Sequence, residues 1–266
     1  MDGERVGYTA RRSSVRRRRW NAALAAIVAT LTQLTSAQIE GVVLIDQTGA
    51  LAGAVTADDA AGFPVTLSRP GSYRLSGNLT VDNPDTTAIE ITADDVTLDL
   101  NGFTIQGPFD LCFNRLRPIW CRQNREGVGI LARRVGFNET LRVNTTILRG
   151  TVRAMARMGV FVGEGARIEE LTIEAHRVDG ISAQRGSRIS NSIIRRNGGR
   201  GVFCVACLLL GNTILENRGV GIRAIDVLYG DNLLMFNNSN GNSGIQVNIT
   251  NGIQGTGNVC VPEDCL

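Results

Sequence analysis

The sequence of 266 residues contains no lysine, because all 28 of its basic residues are arginine. Schiff-base chemistry, a phosphate-loop lysine and a kinase lysine are therefore excluded, since each of them needs an ammonium group. His176 is the only histidine, which excludes any site that needs two imidazoles. Aromatic residues are scarce at 5%, whereas glycine reaches 31 and asparagine is common. This composition favours a fold with many tight corners.

Residues 1–37 are predicted to be an export signal. Arginines are concentrated in residues 11–19, a short apolar stretch follows at 22–34, and the small residues at 35–37 suit a signal peptidase. Cleavage there would leave Gln38 first. The apolar stretch is shorter than the roughly 20 residues that cross a bilayer, so a membrane anchor is the less favoured alternative. We therefore expect an exported chain, periplasmic or secreted, without a transmembrane helix after cleavage.

The net charge belongs largely to this leader. Residues 1–37 hold seven of the 28 arginines and two of the 25 acidic residues, so removing them changes a charge of +3 into 21 minus 23, or −2. A mildly acidic chain lacks the basic patch that nucleic-acid binding needs, and no nucleic-acid partner is expected. The pair Arg11 and Arg12 leaves a twin-arginine signal open as an alternative route of export.

All six cysteines follow the leader, an even number that suits a disulfide protein in an oxidising compartment. The spacing predicts two disulfides that each close a local loop, Cys112 with Cys121 and Cys260 with Cys265. Cys204 and Cys207 can pair only if a turn falls between them. On one extended strand their Cα atoms would lie about 10 Å apart, beyond the roughly 7 Å that a disulfide spans.

The strongest pattern is an internal repeat with a period near 21 residues. In each repeat a glycine or alanine, here called the anchor, is followed by an apolar, a variable and a second apolar residue. The anchors are Ala88, Gly129, Gly159, Gly180, Gly201, Gly221 and Gly244. Two apolar columns on either side of a variable one predict a short strand with one buried face.

Polar residues recur after the anchors. Glu170, Asn191, Asn212 and Asn232 each lie eleven residues after an anchor, and His176 and Asn197 each lie seventeen residues after one, with Asn217 and Asn237 near the same place in the later repeats. Asparagine tolerates a positive φ, and its amides can form ladders between coils. His176 stands where the other repeats have asparagine, so we interpret it as a turn residue rather than as a base or metal ligand.

A repeat of this kind cannot bury its own apolar stripe, but coils stacked about 4.8 Å apart can. The sequence therefore predicts an all-β parallel β-helix of about seven coils over residues 82–252. Residues 38–81 are expected to form an N-terminal cap and the first strands, and residues 253–266 a stapled tail. Both would cover exposed strand edges.

Two segments resemble a known family of proteins. They are Pro-Val-Thr-Leu-Ser-Arg-Pro-Gly-Ser-Tyr-Arg-Leu at residues 64–75 and Ile-Glu-Ile-Thr-Ala-Asp-Asp-Val-Thr-Leu-Asp-Leu-Asn-Gly-Phe-Thr-Ile at residues 89–105. They resemble the first coil of exported bacterial right-handed parallel β-helix repeat proteins of the pectin-lyase-like fold. The resemblance covers roughly residues 60–260 and implies the right-handed sense of the coil.

Enzymes of that fold act on acidic polysaccharides, so the resemblance implies a lyase, hydrolase or epimerase as one candidate function. The motifs of these enzymes are not found. His176 lies between Ala and Arg instead of in a Gly-His-Gly motif, the Arg-Ile-Lys motif has no lysine to use, and an Asp-Pro-His-Glu motif is absent.

Asp94, Asp95 and Asp99 form the densest acidic group and are the candidate catalytic residues. Neighbouring carboxylates could act as an acid and a base, or bind calcium, which is the one cofactor that the sequence suggests. The alternative is structural, with the pair 94–95 at a coil corner and Asp99 capping the turn before Asn101. No other metal site is predicted.

An insertion at residues 107–126 is the candidate binding site. It contains Arg115, Arg117, Trp120, Arg122 and Arg125, in a loop that Cys112 and Cys121 are predicted to close. Guanidinium groups beside an aromatic face suit the carboxylates of acidic sugars. Arginines that are merely solvated are the alternative.

The residues Glu174, Arg195 and Glu216 lie at the same distance after successive anchors, and they predict an ionic ladder that serves solubility and register. The favoured function is a non-catalytic binding or structural role at the cell envelope, with acidic polysaccharide as the partner. A carbohydrate-active enzyme with a divergent acidic site and an adhesin or assembly component remain the alternatives. The oligomeric state is left open.

Overall fold

In the computed structural model, the described residues are 41–53, 55–108, 125–132, 142–238 and 246–261, together with Gly3. They form short strands and one short helix, α1, at Gln47–Ala52. The strands are β1 Val42–Ile45, β2 Val65–Leu67, β3 Gly71–Leu75, β4 Leu79–Thr80, β5 Ile89–Ile91, β6 Val96–Asp99, β7 Thr104–Gln106, β8 Ile130–Ala132, β9 Thr146–Arg153, β10 Val160–Val162, β11 Arg167–Glu174, β12 Ile181–Ala183, β13 Arg188–Ser190, β14 Ile193–Arg195, β15 Val202–Val205, β16 Leu208–Leu210, β17 Thr213–Leu215, β18 Ile222–Gly230, β19 Leu233–Met235, β20 Val247–Gln254 and β21 Val259–Val261.

The strands stack in parallel register on three faces of a solenoid of about 7 coils. The first face consists of β2, β5, β8, β10, β12, β15 and the beginnings of β18 and β20. The second face consists of β1, β3, β6, the beginnings of β9 and β11, β13, β16 and the ends of β18 and β20. The third consists of β4, β7, the ends of β9 and β11, β14, β17, β19 and β21. The predicted all-β parallel β-helix is confirmed.

Aliphatic side chains from the three faces meet inside the coil and form one core. The fully buried members are Ile89, Ile130, Val160, Ile181, Val202 and Ile222 from the first face, Leu98, Ile147, Ile168, Ile189 and Leu209 from the second, and Ile105, Val152, Ile173, Ile194, Ile214 and Leu234 from the third. Because successive residues of a strand point to opposite sides, each inward residue is flanked by outward ones. This alternation is the pattern that the repeat predicts.

The last coil departs from the predicted register. The anchor Gly244 would place Ile245 beside Ile222, but Ile222 pairs with Val247 instead. A shift of two residues keeps the same side chains pointing inward, because the side-chain period of a strand is two. Gln246 takes the anchor's place, and its carbonyl accepts from the Ile222 N–H at 3.1 Å. Gly244 and Ile245 themselves lie outside the described residues.

One predicted asparagine column is wrong by one residue. Glu170 and Asn191 have positive φ values of 56° and 51° and form the corner. The ladder runs one place later, where the Oγ of Ser192 accepts from Leu171 N–H and Asn212 Oδ1 accepts from Ser192 N–H. The coil length changes here from 21 to 20 residues, so counting from the anchor mixes the corner and ladder positions.

Parallel strand pairing also occurs before residue 82 and after residue 252. The strands β2 to β4 already form a complete coil before residue 82, since they pair with β5, β6 and β7. At the other end β20 continues to Gln254, and β21 pairs in parallel with β19. The segment after 252 therefore contributes strands to the last coil.

Helix α1 places a side chain against the first edge of the third face. The helix begins after Asp46, whose Oδ1 accepts from the Gly49 N–H at 2.7 Å, and ends at Gly53 with a φ of 70°. The side-chain amide of Gln47 then hydrogen-bonds to β4 in the way that a neighbouring strand would. Its Nε2 donates to Thr80 O at 3.1 Å, and its Oε1 accepts from Thr80 N–H at 2.8 Å.

The first edge of the first face is closed in a similar way. The buried Asp59 accepts from the Thr66 N–H at 2.8 Å, and Thr56 Oγ1 donates to Thr66 O at 2.8 Å. The second face is covered by β1, which pairs with β3. Side chains and one added strand thus satisfy the backbone groups that an open edge would leave exposed.

Cys204 and Cys207 form a disulfide with a Cα to Cα distance of 6.1 Å. The turn that this pairing requires occurs at Ala206, whose φ is 47°. Cys260 is also disulfide-bonded. Its predicted partner Cys265, and the predicted pair Cys112 and Cys121, lie outside the described residues.

Within the described part of the chain, no helix is both long enough and apolar enough to cross a bilayer.

Candidate functional site

Asp94 and Asp95 lie at the corner before β6 and bind the neighbouring coil. Asp94 Oδ1 accepts from the Val143 N–H at 3.0 Å and lies 4.0 Å from the Arg142 guanidinium. Asp95 has a φ of 55°, and its Oδ1 accepts from Asn144 Nδ2 at 2.9 Å. These contacts tie one coil to the next at a solvent-exposed corner.

Asp99 lies at the other end of β6 and is almost fully buried. Its Oδ1 accepts from the Asn101 N–H at 2.8 Å, which closes the turn as the structural interpretation predicts. Its Oδ2 lies 3.2 Å from Arg74 Nε and 2.5 Å from Arg149 Nη2, so that one carboxylate bridges three coils. Because a strand separates it from Asp94 and Asp95, the three carboxylates do not converge.

Among the residues that the structure describes, no three histidine, cysteine or acidic side chains are grouped so that they could share a metal ion.

Glu169 lies on the second face, as Asp99 does, and its carboxylate also lies between two arginines. Glu169 Oε2 lies 2.8 Å from Arg167 Nη2, and its Oε1 lies 3.7 Å from Arg188 Nε and accepts from Ser190 Oγ at 3.1 Å. The hydrogen bond from Arg167 is the main cause that lowers the pKa of Glu169, against a smaller opposing effect of burial. The guanidinium side chains are 60% and 49% exposed and the carboxylate only 15%, so the outer surface is cationic.

The outward column of the first face holds aromatic side chains. In chain order its members are Glu90, Leu131, Phe161, Ser182, Phe203, Arg223 and Asn248. Phe161 and Phe203 are half-buried, and the guanidinium carbon of Arg200 lies 4.7 Å from the ring centroid of Phe203. This cation–π contact holds the guanidinium against the ring on the first face.

Asp179 holds Arg200 in this position. The carboxylate is 2% exposed and accepts from Arg200 Nη2 at 2.7 Å, from Nε at 3.1 Å and from the Arg200 N–H at 2.7 Å. A two-pronged contact of this kind restricts the guanidinium to one orientation. The sequence interpretation missed this pair. The available signal was that Asp179 and Arg200 each precede an anchor glycine, in consecutive coils.

Arg125 is the one of the five predicted binding residues of the insertion that lies in the described part of the chain. Its Nη1 lies 2.7 Å from Asp85 Oδ2, and its side chain is 35% exposed. Arg115, Arg117, Trp120 and Arg122 lie outside the described residues, so the insertion site stays a prediction.

His176 is completely buried within the asparagine ladder, as its place in the repeat predicts. Its Nδ1 accepts from the Met155 N–H at 3.1 Å, which leaves the proton on Nε2, 3.1 Å from Val152 O. Burial lowers the pKa of His176 to about 3, although the Val152 carbonyl opposes the shift. The ring is therefore neutral at ordinary pH and has no access to a substrate.

The predicted ionic ladder is correct in one step and wrong in the next. Arg195 Nη2 lies 2.7 Å from Glu174 Oε2, as expected, but Glu216 binds Arg196 at 2.7 Å rather than Arg195. The coil that follows Arg195 has 20 residues, so Leu215 stands beside Arg195 and Glu216 moves to the corner.

No family model and no curated protein matches this sequence. Similar solved structures include a periplasmic alginate epimerase, AlgG, in a point-mutant form, with 15% identity, a TM-score of 0.44 and coverage of 67% of this chain and 42% of that one. The A-module of the Azotobacter vinelandii mannuronan C-5 epimerase AlgE6 has 15% identity, a TM-score of 0.45 and coverage of 73% and 51%. The AlgE4 A-module from the same organism has 14% identity, a TM-score of 0.41 and coverage of 76% of each chain. The chain spans about half the length of the first two structures or less.

Proposed function

We propose that this chain is an exported β-helix protein that binds anionic carbohydrate at the cell envelope without transforming it. The observation that carries the proposal is the position of Arg200, held by the buried Asp179 and stacked over Phe203 on the first face. A sugar acid presents an apolar ring face and a carboxylate, and these match an aromatic ring and a guanidinium.

The spacing on this face suits a chain of sugars rather than one small molecule. Phe161 and Phe203 stand two coils apart, with the small Ser182 between them. Two coil steps correspond to roughly 10 Å, so a polymer running along the solenoid axis could contact both rings. Arg223 follows in the next coil and extends the cationic side of the surface.

A binding role is favoured by the state of the groups that catalysis would require. Both oxygens of Asp99 already accept hydrogen bonds, and His176 is buried and neutral. The insertion residues Arg115, Arg117 and Trp120 would add a second contact to the same class of ligand, as their composition suggests.

Export is supported by the leader at residues 1–37 and by disulfide chemistry. Cys204 and Cys207 are paired, and Cys260 is disulfide-bonded as well. Disulfides persist in oxidising compartments such as the periplasm and the medium.

Calorimetric titration with polygalacturonate, alginate and uncharged dextran tests the proposal. We expect the two polyuronates to bind and dextran not to bind. Phe203→Thr and Arg223→Gln should each weaken polyuronate binding by roughly tenfold, because each removes about 1 to 2 kcal/mol of contact. Arg196→Gln, which removes another exposed arginine from a corner, is the matched control and should bind normally.

A second variant, with alanine at Arg115, Arg117 and Trp120 together, tests the insertion. Binding that is unchanged in this variant would assign recognition to the first face alone. Failure of the wild-type chain to bind any polyuronate would refute the proposed function.

The same polysaccharides distinguish the alternatives. Release of unsaturated or reducing ends, measured with and without calcium, would show an enzyme instead of a binding protein. An apparent molecular mass that rises with protein concentration in size-exclusion chromatography would favour an assembly component.

A further inference from the structure

An outward row on the second face changes its chemistry along the solenoid. In register, from the first coil to the last, it consists of Ser72, Thr97, Thr146, Arg167, Arg188, Leu208, Leu228 and Ile253. Hydroxyl side chains come first, two arginines follow, and three aliphatic side chains complete the row. Leu228 is 44% exposed and Ile253 70% exposed, although both lie on a regular sheet.

A groove of about 520 Å³ runs beside the aliphatic part of this row. Its apolar lining consists of Ala206, Cys207, Leu208, Val227, Leu228 and Ile253. The volume lies within the range of small-molecule sites, and the lining is rigid because three coils and the Cys204–Cys207 disulfide build it. Aliphatic side chains concentrated along a groove mark a surface that binds something apolar.

The charged end of the row lies in the coils just before the groove. Arg167 and Arg188 share the single carboxylate of Glu169, and their side chains stay 60% and 49% exposed. Each guanidinium has five N–H donors, so donors remain for an external anion. Asp226, which lines the groove in the coil of Leu228, would repel an anion there. The charges therefore favour one orientation, with the anionic group towards Arg188.

We propose that this row binds a single-chain anionic amphiphile, such as a fatty acid or an alkyl phosphate. The anionic head contacts Arg188 and Arg167, and the alkyl chain lies in the groove along Leu208, Leu228 and Ile253. A row one residue wide, with three coil steps of roughly 14 Å between Arg188 and Ile253, matches a linear chain better than the broad surface of a protein. The site lies on a different face from the proposed carbohydrate surface and does not depend on it.

Calorimetric titration of the full chain with dodecanoate, dodecyl phosphate and dodecanol tests this site. We expect both anions to bind, and the uncharged alcohol to bind roughly tenfold more weakly because it lacks the contact with the arginines. Leu228→Thr should weaken all three ligands by roughly fivefold to tenfold, since it removes apolar contact from an outward position that is safe for folding. Arg188→Gln should weaken the two anions and leave dodecanol unchanged.

Two matched controls separate the groove from general effects. Ile225→Thr changes a side chain that is 41% exposed but does not line the groove, and Arg196→Gln removes an arginine paired elsewhere. Both should bind as the wild type does. All variants share residues 1–37, so any binding to the apolar leader cancels in the comparison.

The sources of the anion are distinguished by the ligands themselves. Preference for dodecanoate points to free fatty acids, and preference for dodecyl phosphate points to phosphorylated lipids. The proposal is overturned if neither anion binds, or if Leu228→Thr and Ile225→Thr bind equally well. Binding only to vesicles that contain anionic phospholipid would also overturn it, in favour of a membrane-facing surface.

Discussion

The main-chain N–H of His176 donates to Oδ1 of Asn197 in the next coil, at 3.1 Å. Asn197 in turn donates from its N–H and its Nδ2 to Asn217 Oδ1, at 3.0 and 2.8 Å. The ladder continues through Asn237 and ends on the side chain of Gln246, which stands in the anchor position of the last coil. An imidazole and a glutamine thus terminate a row of asparagines with equivalent hydrogen bonds. The row satisfies buried backbone groups at one corner of the coils between Met155 and Gln246.

The ladder predicts a large cost for removing one of its members. Asn217→Ala leaves the N–H of Asn197 and the carbonyl of Ile194 without their partners inside the protein. We expect the free energy of unfolding to fall by about 2 to 4 kcal/mol, as for other buried unsatisfied groups. Urea denaturation measures this loss. Asn248→Ala, at an exposed outward position, is the control and should change stability by less than about 1 kcal/mol.

Burial of His176 predicts a pH dependence. Its folded-state pKa of about 3 is below the ordinary value of 6.5, so between these values the unfolded chain binds more protons. The folded protein therefore has its full stability, as far as His176 is concerned, above pH 6.5, and it loses stability as the pH falls towards 3. The variant His176→Asn keeps the ladder side chain of the other coils but has no imidazole to titrate, so this loss of stability should disappear.

Urea denaturation at pH 7, 6, 5 and 4 measures the effect as a difference between the two proteins, in which the titration of carboxylates cancels. The wild type should lose about 1 kcal/mol per pH unit relative to His176→Asn in the lower part of this range. Stability curves that stay parallel from pH 7 to pH 4 would contradict the assignment.

The anchor glycines predict intolerance to a single methyl group. A Cβ on Gly201 would lie 2.6 Å from Ile214 Cγ2 and 2.8 Å from Asn217 Nδ2, because the ladder side chain fills the space beside this anchor. Gly201→Ala should lower the free energy of unfolding by about 2 to 4 kcal/mol. Gly77→Ala, whose Cβ would approach Asp46 Cβ no closer than 3.9 Å, is the control for a glycine in open surroundings. Equal effects of the two substitutions would refute the packing argument.

The disulfide predicts a local and modest stabilisation. Cys204 and Cys207 are three residues apart, and closing so short a loop restricts the unfolded chain only by about 2 kcal/mol. The double variant Cys204→Ala with Cys207→Ala should therefore remain folded, with a lower midpoint of urea denaturation. Peptide mapping without reductant should recover these two cysteines in one linked fragment. Labelling of either thiol in the unfolded, unreduced protein would contradict the pairing.

Much of the fold could be predicted because each coil has to bury the same apolar positions and form the same corners. The apolar columns that contain Ile181 and Val202 predict the strands, and their pairing in register is confirmed. The errors occur where coil length changes. Glu216 was assigned to Arg195 but binds Arg196, because a coil of 20 residues moves a corner residue by one position.

The site was harder to predict, since its residues lie far apart along the chain. Asp179 and Arg200 are in different coils, and only the stacking of those coils brings a buried carboxylate against the guanidinium that lies over Phe203. The acidic group of Asp94, Asp95 and Asp99 is close in sequence, yet the strand between its members directs them to different corners.

By itself, the sequence determined the solenoid, its core and the corner chemistry of glycine and asparagine, because these depend on residue periodicity within one coil. Only the tertiary structure decided which outward side chains share a surface. Neighbours on a face such as Arg188 and Leu208 are about one coil apart in sequence, and a change of one residue in coil length alters the pairing. Surface chemistry in a stacked fold therefore depends on register, which the chain sets only when the coils pack together.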